Sequence, residues 1–154
     1  MILDKRQKEL VKNALEDYDF MKEEITNKIS KGYDIDDLSI FLTRFKDIEI
    51  TNIEKYDDYE YLDFLYKDLN MCIVFDTDKG LRVSNTFEIY DKKTCEYIVE
   101  DFLTKDEYTN LINKTREEEL EDMIVTLKYY DSHNLEGDYK LYEKKVINFL
   151  KENW

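Results

Sequence analysis

Apolar residues recur every three to four positions through the start of the chain. Leu10, Ala14, Tyr18, Met21, Ile25 and Ile29 share one stripe, which predicts an amphipathic helix over residues 4–30. Asp4 can cap its start, and Gly32 suits the left-handed stop behind it. A second helix is predicted after Asp34, with Ile35, Leu38, Phe41, Leu42 and Phe45 on one face. Ile48 and Ile50 alternate with Asp47 and Glu49, the pattern of a short strand. Residues 57–69 return to helical spacing through Tyr59, Leu62, Leu65, Tyr66 and Leu69.

The middle of the chain changes period. Met71–Phe75, Leu81–Val83, Phe87–Tyr90 and Cys95–Val99 are short β-type runs, separated by turns at 76–80 and 91–94. Helical patterns resume with two Thr-x-x-Glu capping boxes, Thr104/Glu107 and Thr115/Glu118. The second box opens a helix bearing Leu120, Met123, Ile124 and Leu127. A polar loop over 131–137 precedes a last helix through Leu141, Tyr142, Val146, Phe149 and Leu150. This order predicts an α+β fold: N-terminal helices, a small central antiparallel sheet of three to four strands, and C-terminal helices. A single compact domain over 1–154 is expected, helical over 1–69, β-rich over 70–100 and helical over 104–153. No linker rich in Gly, Ser or Pro divides it.

Charge narrows the classes that remain. The chain carries 37 acidic and 23 basic side chains, a formal net charge of −14. Thirteen Tyr and eight Phe set it apart from disordered acidic chains, which are poor in aromatics. No apolar run approaches the roughly 20 residues of a membrane span. The opening MILDKRQKEL lacks the apolar core of a secretory signal. A soluble cytoplasmic protein is expected, with no membrane partner and no direct grip on nucleic acid. The 19 Lys against 4 Arg, and a single Ala (Ala14), follow A/T-rich codons and point to a low-GC bacterium or a phage or mobile element within one. Cys72 and Cys95 lie in strand-like runs and are expected to be reduced, buried and inert.

Catalytic chemistry finds little footing. Structural zinc needs four Cys or His ligands, and the chain has two Cys and one His. Asp76-x-Asp78-x-Gly80 has the opening of a calcium loop, but Phe87 stands where the closing Glu belongs, so a hairpin turn is expected. Asp76 followed by Asp91-Lys92-Lys93 has the spacing of a metal-dependent nuclease, which makes Asp76, Asp91 and Lys93 a minor alternative. His133 sits in the polar loop without a nucleophile beside it. No catalytic residue, metal or cofactor is expected.

The acidity is spread along the chain, with three dense clusters. Glu117–Asp122 opens a helix, where carboxylates complement the helix dipole. Another runs from Glu96 to Glu107. The densest interleaves carboxylates with tyrosines: Glu54, Tyr56, Asp57, Asp58, Tyr59, Glu60, Tyr61 and Asp63. Tyrosine offers a rigid apolar body with a polar tip, and spaced carboxylates resemble phosphates in their electrostatic effect. These eight residues are the candidate partner-binding site. In size, charge and genomic flavour the chain resembles the small acidic phage proteins that inhibit host defence nucleases, of anti-CRISPR and anti-restriction type, though no residue motif carries the likeness. The resemblance implies a non-enzymatic inhibitor whose partner is a protein with a basic nucleic-acid-binding surface. An immunity protein or antitoxin neutralising a nuclease toxin would use the same physics. The sequence sets no oligomeric state.

Overall fold

A computed structural model describes residues 1–154. The fold is α+β, with helices at both ends and an antiparallel sheet of seven strands between them. The chain packs as two units: Asp4–Thr109, and Asn110–Trp154 together with Met1–Leu3.

In the larger unit, α1 (Lys5–Ser30) runs unbroken. The Asp4 carboxylate accepts a hydrogen bond from the Gln7 backbone amide and the Gln7 side-chain oxygen accepts one from the Asp4 amide, a reciprocal capping box that satisfies two orphan amides. Val11, Ala14, Leu15, Tyr18, Met21 and Ile25 are buried. Asp34 and Asp37 form the same reciprocal box at the start of α2 (Ile35–Leu42). Both helices pack on one face of the sheet.

The sheet starts at Ile48, where the alternation of Ile48 and Ile50 predicts a short strand, well ahead of the β-rich region expected over 70–100, and it has seven strands rather than three or four. Strand β1 (Ile48–Lys55) pairs with β2 (Tyr59–Tyr66), and β2 with β3 (Leu69–Asp76). Beyond β3, its far edge is shared: β4 (Gly80–Val83) pairs with the end of β3, and β5 (Thr86–Asp91) with its start. Two short strands, β6 (Glu96–Tyr97) and β7 (Leu103–Thr104), complete the edge along β5.

The predicted helix over 57–69 is therefore strand β2 and the turn that follows it. Leu62 and Tyr66 satisfy both a helical and an alternating pattern, and Phe64 decides between them. In a helix it would leave the apolar stripe, whereas in the strand it joins Leu62 and Tyr66 on the buried face. The turns on either side contain no glycine. Lys67 adopts the left-handed conformation (φ 55°) that closes the β2–β3 hairpin. Cys95 likewise has φ 58° in a tight turn before β6, which leaves it exposed rather than buried in a strand.

The core lies between the inner sheet face and the two helices. Leu62, Phe64, Leu69, Met71, Ile73, Phe87 and Ile89 meet the buried positions of α1 and α2. Phe87 is sandwiched between Tyr18, at 4.1 Å between ring centroids, and Tyr108, at 5.1 Å. Both hydroxyls keep backbone partners, since Tyr18 donates to the Ser84 carbonyl at 2.9 Å and Tyr108 to the Phe87 carbonyl at 3.1 Å. Buried tyrosines remain favourable only when such a partner is supplied.

Helix α3 (Lys105–Asn113) carries the chain onward. In the second unit α4 (Arg116–Ser132) and α5 (Glu136–Asn153) pack against one another. The polar loop predicted over 131–137 shortens to residues 133–135, because α4 continues to Ser132 and α5 takes in Gly137. No helix of the chain is long and apolar enough to cross a membrane.

Candidate functional site

The acidic, tyrosine-rich segment forms the β1–β2 hairpin, and strand alternation divides its residues. Across the pair Glu54 faces Tyr61, Asn52 faces Asp63, and Ile53 faces the buried Leu62. Successive side chains point to opposite faces, so Glu54, Tyr59, Tyr61 and Asp63 belong to the sheet face turned away from α1 and α2. Glu60 is paired with Lys55 on the other side, where Lys55 also bridges to Asp36 of α2 at 2.6 Å. Tyr56, Asp57 and Asp58 form the exposed tip, closed by a 2.7 Å bond from the Tyr56 amide to the Tyr59 carbonyl. Of the eight candidate residues, four share the outer face, three make the tip and one points inward.

A hydrogen-bonded group organises the outer face near the tip. The Tyr56 hydroxyl donates to Glu54, and the Asn52 amide donates to Glu54 at 3.3 Å and to the Tyr61 hydroxyl at 3.2 Å. The Tyr56 hydroxyl, together with Asn52 and Tyr61, holds the Glu54 carboxyl below its ordinary range. Desolvation, reinforced by the Glu54 carboxylate opposite, pushes Tyr61 up to about 12. Glu54 thus stays ionised and Tyr61 neutral over the physiological range, a fixed anion beside an uncharged ring. The Tyr59 and Tyr61 rings lie 5.8 Å apart on the same face.

The face continues onto β3, β4 and β5 with residues the charge clusters alone do not reveal. Cys72 lies opposite Asp63, and burial, helped by that carboxylate, pushes its thiol up to about 12. Asp76 lies opposite Tyr59. Its carboxylate accepts from the Lys79 amide at 2.6 Å, the Asp78 amide at 3.0 Å and Arg82 at 3.2 Å. Those bonds, the Lys79 amide foremost, hold Asp76 below its ordinary range. The Asp76–Gly80 segment is accordingly a self-capped hairpin turn, with Gly80 at φ 73°. Further along, Asn70 donates to Glu88 at 2.9 Å. The signal that could have found Asp76 and Glu88 is the period-two pattern, counted within each strand from the buried Leu69 and from Phe87 and Ile89, whereas Asn52 is placed only by the pairing register.

The nuclease candidates do not converge. Asp91 ends β5 beside the start of β3, because Ile89 pairs with Leu69. Asp76 ends β3 seven residues beyond Leu69 and Asp91 lies two positions past Leu69 the other way, which at strand spacing sets them about 30 Å apart. Asp91 is moreover buried and held by Arg6, with its Oδ1 also accepting from the Lys93 amide at 3.0 Å. Nowhere do three or more His, Cys, Asp or Glu side chains gather as a metal would require. His133 caps the end of α4, exposed and stacked on Tyr129 at 4.0 Å.

The other acidic clusters are dispersed or absorbed. Glu96 belongs to β6, Asp106 and Glu107 to the first turn of α3. Glu117, Glu118 and Glu119 fill the first turn of α4, where Glu119 is buried against Lys114 at 3.0 Å and the Met1 amino group. No protein-family model matches the chain, and neither a curated protein nor a solved structure matches it.

Proposed function

We propose that this chain is a non-enzymatic binding protein that occupies the basic nucleic-acid site of a protein partner, in the manner of a phage or mobile-element inhibitor of a defence enzyme. The observation that supports it is the β1–β2 hairpin. Its tip presents Asp57 and Asp58 beside Tyr56, which is 57% exposed, and its outer face adds Glu54, Tyr59, Tyr61 and Asp63. Glu54 on β1 and Asp63 on β2 each set one carboxylate on that face, and Asp57 and Asp58 add two at the tip, anions held on a paired backbone. Lys and Arg side chains that hold phosphates would meet these carboxylates, while the tyrosine rings supply packed contact area. The bonds among Glu54, Asn52, Tyr56 and Tyr61 hold that surface in place before any partner arrives, which lowers the ordering cost of binding. The action is placed in the cytoplasm, where such an enzyme works.

The test is affinity capture from nuclease-treated lysate of the native host, washed at low and at high salt. A parallel bait carries Glu54→Lys, Asp57→Lys and Asp63→Lys. A nucleic-acid-binding enzyme retained at low salt, released at high salt and absent from the variant bait is the expected result. Equal retention by both baits, or no such enzyme at either salt, removes the support for the reading.

A further inference from the structure

On the helix side of the sheet, the chain carries a feature of opposite sign. The end of α1, the Gly32 turn and α2 enclose a cleft of about 580 Å³, within the size range of small-ligand sites. Lys28, Lys31 and Arg44 line it, together with Tyr33, Phe41 and Ile40. In a chain with 37 acidic side chains, none of these three cations forms an ion pair. The acid that lines the cleft, Asp37, is already engaged, since its carboxylate accepts from the Asp34 amide at 3.1 Å.

The aromatic walls position the charge. The Lys28 ammonium lies 5.4 Å from the Tyr33 ring centroid and 5.1 Å from that of Phe41, and the two rings meet edge to face. That arrangement holds the ammonium itself against the two rings at the cleft wall. The carbonyls at the end of α1, which would oppose an anion, are occupied: Lys28 accepts from the Lys31 and Tyr33 amides, and Ile29 from Gly32 at 3.0 Å. Ile40 adds an apolar shelf, 59% exposed. Three unpaired cations beside an apolar and aromatic shelf match a ligand with several phosphates and a planar ring.

We propose that this cleft binds a nucleoside polyphosphate. The phosphates meet Lys28, Lys31 and Arg44, with Arg44 offering a forked donor suited to two phosphate oxygens. The base lies against Ile40 and Phe41. The acids more than about 8 Å away oppose this ligand only weakly, because they are screened at physiological salt, and Asp37 is the single acid in the cleft wall against three cations. The proposal does not rest on the acidic outer face of the hairpin, which is turned away from α1 and α2, and either can fail alone.

The experiment titrates the full chain with ATP and, separately, with inorganic tripolyphosphate, followed by calorimetry. Three proteins are compared: the unaltered chain, Lys31→Gln with Arg44→Gln, and a control with Lys144→Gln and Lys145→Gln on α5. The expected result is ATP binding with Kd below about 1 mM, weakened at least about tenfold in the first variant and unchanged in the control. ATP should bind several-fold more tightly than tripolyphosphate. Circular dichroism of the variants, whose changes are at exposed positions, should match the unaltered chain. Absence of ATP binding, or equal affinity in the Lys31/Arg44 variant, overturns the site. Tripolyphosphate binding as tightly as ATP overturns the nucleotide assignment.

Discussion

The guanidinium of Arg6, in the second residue of α1, grips the carboxylate of Asp91 at the end of β5 with both of its terminal nitrogens. Asp91 is only 1% exposed, and the pair ties the first turn of the helix to the sheet. The Arg6 hydrogen bonds lower the Asp91 pKa most, with the Lys93 amide adding to them against the opposing cost of burial, and bring it down to about 2. A depressed folded-state pKa stabilises the fold wherever the unfolded carboxyl would be ionised. That contribution is complete above the unfolded value of 3.8 and is lost as pH falls from there through about 2. Asp91→Asn should lower Tm at pH 7 by roughly 4–8 °C, and its deficit should shrink as the pH is taken from 4 to 2. Thermal melts of both proteins across that range check it; a deficit independent of pH would remove the ion pair as its cause.

Phe87 sits between Tyr18 and Tyr108 without exposure, whereas Val125 on α4 is 66% exposed. Phe87→Ala should cost about 3–5 kcal/mol of unfolding free energy, since it opens a cavity in the stack. Val125→Ala should change it by less than about 0.5 kcal/mol. Urea denaturation compares them directly.

How much of this was legible in the residues depended on whether two periods could be told apart. The α1 stripe is long enough that the 3.6-residue period has no rival, and Asp4 and Asp34 mark their caps openly. Between Tyr59 and Leu69 the period is ambiguous, because Leu62 and Tyr66 fit either pattern, and the turn that would expose the hairpin uses Lys67 rather than glycine. The strand edges β6 and β7 are two residues each, too short for any periodicity to declare. The candidate site was legible as a dense mixture of acid and tyrosine, but its division into tip, outer face and inward Glu60 follows from pairing register, which only the fold supplies. The basic cleft could not be read at all: Lys28 and Lys31 are neighbours at the end of α1, but Arg44 lies thirteen residues beyond them and only the α1–α2 turn brings it alongside.

The two cysteines should differ sharply in reactivity. Cys95 is exposed, while Cys72 is half-buried with its thiol pushed up to about 12, so almost none of it is thiolate at neutral pH. A thiol-specific disulfide reagent at pH 8 should label one equivalent quickly and the second only on unfolding. Cys95→Ser should abolish the fast phase and Cys72→Ser should leave it intact.

Tyr61 should ionise well above the ordinary phenol range, near 12, and the Glu54 carboxylate is part of the reason. Glu54→Gln removes that charge while keeping the side chain's size. It should lower the Tyr61 pKa without returning it to 10, because desolvation, the larger cause, remains. Carbon NMR of labelled tyrosine rings over an alkaline titration follows the shift. An unchanged Tyr61 would mean that the Glu54 carboxylate does not reach it in solution.

The hairpin tip should govern how fast the proposed partner is met, and the tyrosines how long it is held. Long-range attraction between Asp57, Asp58 and a basic groove raises the association rate and fades with salt, whereas packed rings act on dissociation. Reversing both tip charges, Asp57→Lys with Asp58→Lys, should slow association with the captured enzyme by at least about tenfold at low salt, and by much less at high salt, where screening already removes the attraction. Tyr56→Ala with Tyr59→Ala should instead speed dissociation, leaving the association rate and its salt dependence nearly unchanged. All four residues are exposed, so none of these changes should alter the melting curve by more than a degree or two. Surface plasmon resonance at two ionic strengths separates the rates, and an association rate untouched by charge reversal would place the contact elsewhere on the molecule.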